Sequence, residues 1–182
     1  MRILYDGLRN TALMQQVQEI ISQVRKVVVG KDTVIASILM AMLAQGHVLL
    51  EDVPGVGKTT MALAFSRTMD LSYKRMQFTP DVMPSDITGY TTIQTGGAAG
   101  VYVPGAAMCN LFLADEINRA SSKTQSALLE VMEENSITVD GVTRAVPQPF
   151  LVIATQNPAG SSGTQPLPES QLDRFMVRLS MG

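Results

Sequence analysis

Residues Val53-Pro54-Gly55-Val56-Gly57-Lys58-Thr59-Thr60 constrain this chain more than any other stretch. They follow a short apolar run, His47 to Glu51, and precede a segment with helical spacing, so the motif lies between a strand and a helix. Glycines in such a loop let the backbone curl until successive N–H groups point inward. The first turn of the helix adds its positive end, and the two together cradle phosphate oxygens. Lys58 would reach the β- and γ-phosphates there, and the Thr59 hydroxyl would ligate Mg²⁺. ATP and Mg²⁺ are therefore the expected ligands. A Gly-Pro turn that merely precedes a helix could share the glycines, but it would not explain the strand, the loop and the Lys-Thr pair together. One position departs from the pattern G-x-x-x-x-G-K-[ST]: residue 52, where glycine is expected, is Asp52.

A second stretch answers the first. Leu111-Phe112-Leu113-Ala114-Asp115-Glu116 reads as a buried strand ending in two carboxylates. Asp115, at the edge of the strand, can hold Mg²⁺ through water, while Glu116 can polarise an attacking water as general base. A strand ending in solvated acids is common, but much less so beside a phosphate loop. A further strand, Phe150 to Thr155, ends in Gln156-Asn157-Pro158. The Asn157 amide could orient the lytic water; a polar turn before proline is the other reading of the same residues.

The remaining pattern supplies the scaffold. Val48-Leu49-Leu50, Leu111 to Ala114 and Phe150 to Ala154 are continuous apolar runs bounded by polar or turn residues, which suits strands buried on both faces. Helical spacing is found over residues 11–27, with Asn10 or Thr11 as a cap, and over residues 31–44, with Gly46 as the left-handed terminator. It recurs over residues 59–69 and 123–134. Residues 73–78 and 176–179 are weaker strand candidates. The alternation predicts an α/β sandwich around a mostly parallel sheet. Two hairpins interrupt it: residues 90–104 around Gly96-Gly97-Ala98-Ala99-Gly100, and residues 136–146 around the turn Asp140-Gly141. There is no internal repeat.

At 182 residues the chain fits one domain, which can bury roughly 70% of its unfolded surface without a disulfide or metal staple. Cys109, the single cysteine, reads as a small buried hydrophobe in a reducing compartment. The net charge of −2 and the lack of a Lys/Arg run argue against a nucleic-acid partner. With 46% hydrophobic and 16% charged residues, either a large core or surface covered by neighbouring subunits is implied. No signal peptide and no apolar stretch of roughly 20 residues is present, so a soluble, cytoplasmic protein without membrane insertion is expected.

Four motifs in order resemble the MoxR branch of the AAA+ ATPases: Gly46 to Thr59, Leu113 to Ala120, Ala154 to Pro158, and Leu167 to Phe175. The similarity covers nearly the whole chain, and Asp52 is familiar in that branch. The resemblance implies a P-loop NTPase three-layer sandwich with a five-stranded sheet in the order 5-1-4-3-2. It also implies two inserts, a helix-2 insert at about residues 88–105 and a pre-sensor-1 hairpin at about 136–146, both of which face a pore or substrate in such proteins. It makes Lys58 and Thr59 the Walker A pair, Asp115 and Glu116 the Walker B pair, and Asn157 the sensor-1 residue. Val29 and Gly30 become the adenine-facing segment, and Arg174 an arginine finger reaching into a neighbouring subunit. A surface ion pair of Arg174 with Asp173 or Glu169 is the plainer alternative. Pro104-Gly105-Ala106-Ala107-Met108 departs from the Gly-Pro-aliphatic-aromatic stretch of the branch, which bears on the packing before Leu111.

The function so implied is ATP hydrolysis coupled to remodelling or maturation of a protein client, possessed in some relatives of a von Willebrand factor A domain, by a hexameric ring. A magnesium-chelatase-type motor subunit and a nucleotide-dependent binding module without turnover are the alternatives. A helicase role fits less well, because Arg144 is the only basic residue in the two hairpins. The helical lid that follows the sheet domain in AAA+ proteins is not found before Gly182, so either the lid is absent or the chain is a fragment; a fragment with low ATPase activity is the favoured expectation.

Overall fold

The computed structural model describes residues 2–51, 57–93, 100–156 and 167–181, with residues 2–10 described by backbone alone. In chain order the strands are β1 (His47–Glu51), β2 (Tyr73–Gln77), the hairpin β3 (Gly89–Ile93) and β4 (Gly100–Pro104), β5 (Leu111–Asp115), the hairpin β6 (Ser136–Val139) and β7 (Val142–Ala145), β8 (Leu151–Gln156) and β9 (Phe175–Leu179). The helices are α1 (Arg2–Arg25), α2 (Asp32–Leu43), α3 (Lys58–Thr68), α4 (Pro84–Thr88), α5 (Ser122–Glu134) and α6 (Glu169–Leu172). Five strands form one sheet in the order β2-β5-β8-β1-β9, every pairing parallel. Counting those five alone, this is the expected order 5-1-4-3-2.

The continuous apolar runs are explained by two cores, one on each face. Val48, Leu50, Leu111, Leu113, Leu151 and Ile153 pack with residues of α2 and α3, together with Val24 of α1. Their alternate neighbours Leu49, Phe112, Ala114, Val152 and Ala154 pack with Leu128, Leu129 and Met132 of α5. Successive strand residues point to opposite faces, so a strand covered on both sides must be apolar throughout. The edge strands β2 and β9 are only partly buried and carry Lys74, Arg75 and Arg178. Charges on edges oppose pairing with another sheet, and they are also what weakened the apolar signal of these two strands.

Helix ends differ from expectation in instructive ways. Helix α1 begins well before Asn10 and Thr11, which are helical and not caps. At its other end the bonding tightens, with Lys26 N–H donating to Gln23 and Val27 N–H to Val24. Helix α2 stops through Gln45, at φ 57°, and not through Gly46. The Gly46 N–H donates to Ala41 and the Gln45 N–H to Met42, the paired bonds of a Schellman motif. Glycine fits residue 46 for a different reason: a Cβ there would lie 2.7 Å from the Cβ of Met176 and 2.4 Å from its terminal methyl. Helix α5 is capped by the Ser121 hydroxyl, which accepts from the Thr124 N–H.

Both hairpins are present. Asp140 and Gly141 have φ of 52° and 75°, the positive pair a two-residue turn needs; the tip of the first hairpin, residues 94–99, is outside the described residues. Tyr102 on β4 donates its hydroxyl to the Thr88 carbonyl at 2.6 Å, and the Arg144 guanidinium of β7 lies 4.0 Å over the Tyr102 ring, joining one hairpin to the other. The segment after β4 turns onto α4: Ala106 and Ala107 donate to the carbonyls of Asp86 and Ile87, and Ala107 and Cys109 are buried. Burial pushes the Cys109 thiol up to about 11, so it stays protonated and packs as a small hydrophobe, as its sequence context implied.

Candidate nucleotide and metal site

In a parallel sheet the strand ends and the following loops collect along one edge. Here β1 runs toward the phosphate loop and β5 toward Asp115 and Glu116. Residues 52–56 lie outside the described residues, as does Asn157, so the expected contacts of Val53, Pro54, Gly55, Val56 and Asn157 have no described geometry. From Gly57 onward the arrangement is explicit. Gly57 is the N-cap of α3 at φ 92°, a conformation that side chains rarely adopt. Lys58 is 93% buried as the first residue of the helix, being 7% exposed, and Thr59 and Thr60 follow in its first turn.

Gly57, Lys58 and Thr59 face Asp115 and Glu116 across a cleft of about 340 Å³, with Arg75 and Gln77 of β2 as the third wall. The donor set suits ATP with Mg²⁺. Thr59 offers a hydroxyl and Asp115 a carboxylate, both hard oxygen ligands. Among the described residues no group of three or more His, Cys, Asp or Glu converges. A cation here would draw its remaining ligands from phosphates and water, which is how Mg²⁺ is commonly held.

The two acids are oriented by one hydroxyl. Thr155, at the end of β8, donates to Asp115 Oδ1 at 2.6 Å and accepts from the Glu116 N–H at 2.9 Å. Asp115 Oδ2 accepts from Arg75 Nη2 at 2.7 Å, and that bond holds the Arg75 guanidinium even more firmly in its charged form. Glu116 stands at φ 57°, where a non-glycine residue is strained by roughly 1–2 kcal/mol. Its carboxylate accepts from Arg119 Nη1 at 3.0 Å. This left-handed backbone turns Glu116 out of the strand direction, and the residue lines the cleft.

A second carboxylate network borders this edge. Glu51, the last residue of β1, accepts from Gln156 Nε2 at 2.5 Å and from Arg178 Nη2 at 2.7 Å. It ties the strand entering the phosphate loop to the strand leading to Asn157.

The structure does not gather every expected residue here. Val29 is 83% exposed in the turn between α1 and α2, followed by Gly30 at φ 75°. Neither lines the cleft, nor the adjoining cavity of about 300 Å³ between α1 and α3. Arg174, between α6 and β9, pairs with Glu133 of α5, and not with Asp173 or Glu169. Thr155, Arg75 and Glu51 were not foreseen. Thr155 left a trace, a polar residue closing an apolar run, whereas Arg75 in a weak strand left none.

The profile of the family described as "ATPase family associated with various cellular activities (AAA)" matches residues 47–177. Chaperone MoxR1 of Mycobacterium tuberculosis is 44% identical over 171 residues, 94% of this chain and 45% of that protein. The chain belongs to the MoxR family of AAA+ ATPases. YeaC of Bacillus subtilis, itself uncharacterised, is 54% identical over 162 residues, 89% of this chain and 51% of its own length. A solved structure from Cytophaga hutchinsonii, assigned as an ATPase, superposes with a TM-score of 0.88 at 41% identity, covering 99% of this chain and 55% of the other. This MoxR-family chain thus spans about half the length of the curated relatives it matches.

Proposed function

We propose that this MoxR-family chain binds ATP with Mg²⁺, hydrolyses it, and couples hydrolysis to chaperone-like remodelling or maturation of a partner protein. The observation that carries the reading is the convergence of Lys58 and Thr59 with Asp115 and Glu116 on one cleft. Lys58, held at the base of α3, neutralises the β- and γ-phosphates beside the positive end of the helix. Thr59 and Asp115 would hold Mg²⁺, which spreads the charge that develops on the phosphate oxygens. Glu116 accepts a proton from the attacking water, once its carboxylate turns from Arg119 toward that water. Asn157, two residues beyond Thr155, positions that water; Val29 and Gly30, outside the cleft itself, would meet the base of a nucleotide that reaches past it to the α1–α2 turn; Arg174 supplies the transition-state cation to a neighbouring subunit.

The name of the relative MoxR1, a chaperone, supports a protein client. A von Willebrand factor A domain in that client and a hexameric ring remain part of the same proposal. Exchange of Glu116→Gln keeps the shape of the site and removes the base. Nucleotide binding by the variant is expected to match the parent, while turnover falls by a factor on the order of 10² or more. A variant that hydrolyses ATP at the parental rate would remove Glu116 from the mechanism; a parent that binds nucleotide and never turns it over would leave a binding switch.

A further inference from the structure

We propose that Arg75 is a built-in counter-cation for Asp115 that sets how strongly nucleotide binding depends on magnesium. The proposal rests on the reading of Asp115 as the metal-side carboxylate. Strand β2 pairs with β5 so that Gln77 lies opposite Asp115 and Arg75 opposite Leu113. Tyr73 packs into the α3-side core with Leu111 and Leu113, and alternation puts Arg75 and Asp115 on that same face. Arg75 then reaches along the strand and donates Nη2 to Asp115 Oδ2 at 2.7 Å. Thr155 donates to the other oxygen, so each oxygen of this largely buried carboxylate has a partner.

The chemistry follows from the competition for Oδ2. A guanidinium on Oδ2 offsets the negative charge that oxygen would offer to a hydrated Mg²⁺, so the two cations weaken each other's hold on Asp115. While the metal is absent, Arg75 cancels the charge of Asp115, which would otherwise repel a polyphosphate entering the cleft. When the metal arrives it meets a carboxylate whose charge Arg75 already offsets. The residue therefore helps metal-free nucleotide and opposes the gain that magnesium gives. A charge placed on an edge strand only to block sheet pairing would do neither. A purely structural brace would weaken binding equally with and without metal.

The opposite signs make the test. Titrations of the full chain with fluorescent N-methylanthraniloyl-ADP, once in EDTA and once in excess MgCl2, give the ratio of the two Kd values for the parent, Arg75→Met, Arg75→Lys and Asp115→Asn. In Arg75→Met the affinity in EDTA is expected to fall and the magnesium gain to rise, enlarging the ratio about tenfold, the low end for a charge-assisted bond because the Arg75 side chain is 45% exposed. Arg75→Lys keeps the cation and is expected to lie near the parent, which also guards against a misfolded methionine variant. An unchanged ratio in Arg75→Met, or a ratio enlarged equally in Arg75→Lys, overturns the proposal. Asp115→Asn tests the reading beneath it: loss of most of the magnesium gain supports Asp115 as the metal-side group, and a parental gain overturns both. Loss in Asp115→Asn with no change in Arg75→Met sinks the inference about Arg75 alone.

Discussion

His47 combines burial, charge and register in one side chain. It opens β1 almost wholly buried, stacked edge-on against Phe150 with centroids 5.8 Å apart. Its Nδ1 accepts from the Val152 N–H at 3.0 Å, and Nε2–H donates to the Met132 carbonyl at 3.0 Å. That pairing requires the neutral ring. Burial lowers its pKa below 6.5, against a smaller raising effect of the Met132 bond. The unfolded chain therefore takes up a proton that the folded chain refuses. The contribution is intact above about pH 6.5 and is lost as pH falls below that value, at up to roughly 1.4 kcal/mol per pH unit. Urea unfolding at pH 7.5 and at pH 5.5 should show a smaller pH difference for His47→Asn than for the parent; equal differences would place the titration elsewhere.

At this scale the sequence disclosed the residues whose neighbours along the chain define them, Lys58 and Thr59 in the loop and Asp115 with Glu116 at a strand end. It did not disclose Arg75, Thr155 or the partner of Arg174. Arg75 and Asp115 are 40 positions apart, as are Thr155 and Asp115. Such contacts exist only after β2, β5 and β8 are set side by side.

Among the elements, strands and hairpins were legible because period and turn chemistry act locally, and helix ends were less so because tertiary packing decides them. Gly46 is the clear case: its composition suggested a left-handed terminator, yet Gln45 takes that conformation and Met176 claims the space beside Gly46. The unexpected Pro104-Gly105-Ala106 stretch has a similar cause. A Cβ at Gly105 would lie 2.3 Å from the Ile87 carbonyl oxygen and 2.4 Å from the Gly89 nitrogen. The stalk of the β3–β4 hairpin closes at that crossing, which admits no side chain. Gly105→Ala should destabilise the chain by about 1–3 kcal/mol, read as a lower urea midpoint, because rigid backbone and not a flexible side chain must yield. A midpoint equal to the parent would mean that the stalk shifts freely.

For the molecule as a whole, the position of Arg174 matters most. It rests on Glu133, and among the described residues the cations lining the phosphate cleft are Lys58 and Arg75, not Arg174. If the finger acts on a neighbour, turnover per subunit must rise with protein concentration. Steady-state ATPase rates over a dilution series decide this. A rate per subunit that does not change with concentration would sink the trans account, and Arg174→Ala should flatten the rise while nucleotide binding persists.

The strand order has one more consequence, which concerns synthesis. Strand β1 sits between β8 and β9, and His47 meets Val152 across 105 positions of chain. On the ribosome Val48, Leu49 and Leu50 emerge early, yet every strand that will flank them is still untranslated. Until then an apolar segment made to be enclosed on both faces stays in water beside an unfilled phosphate loop. The order of synthesis thus runs against the order of enclosure for β1, whose flanking strands β8 and β9 come last.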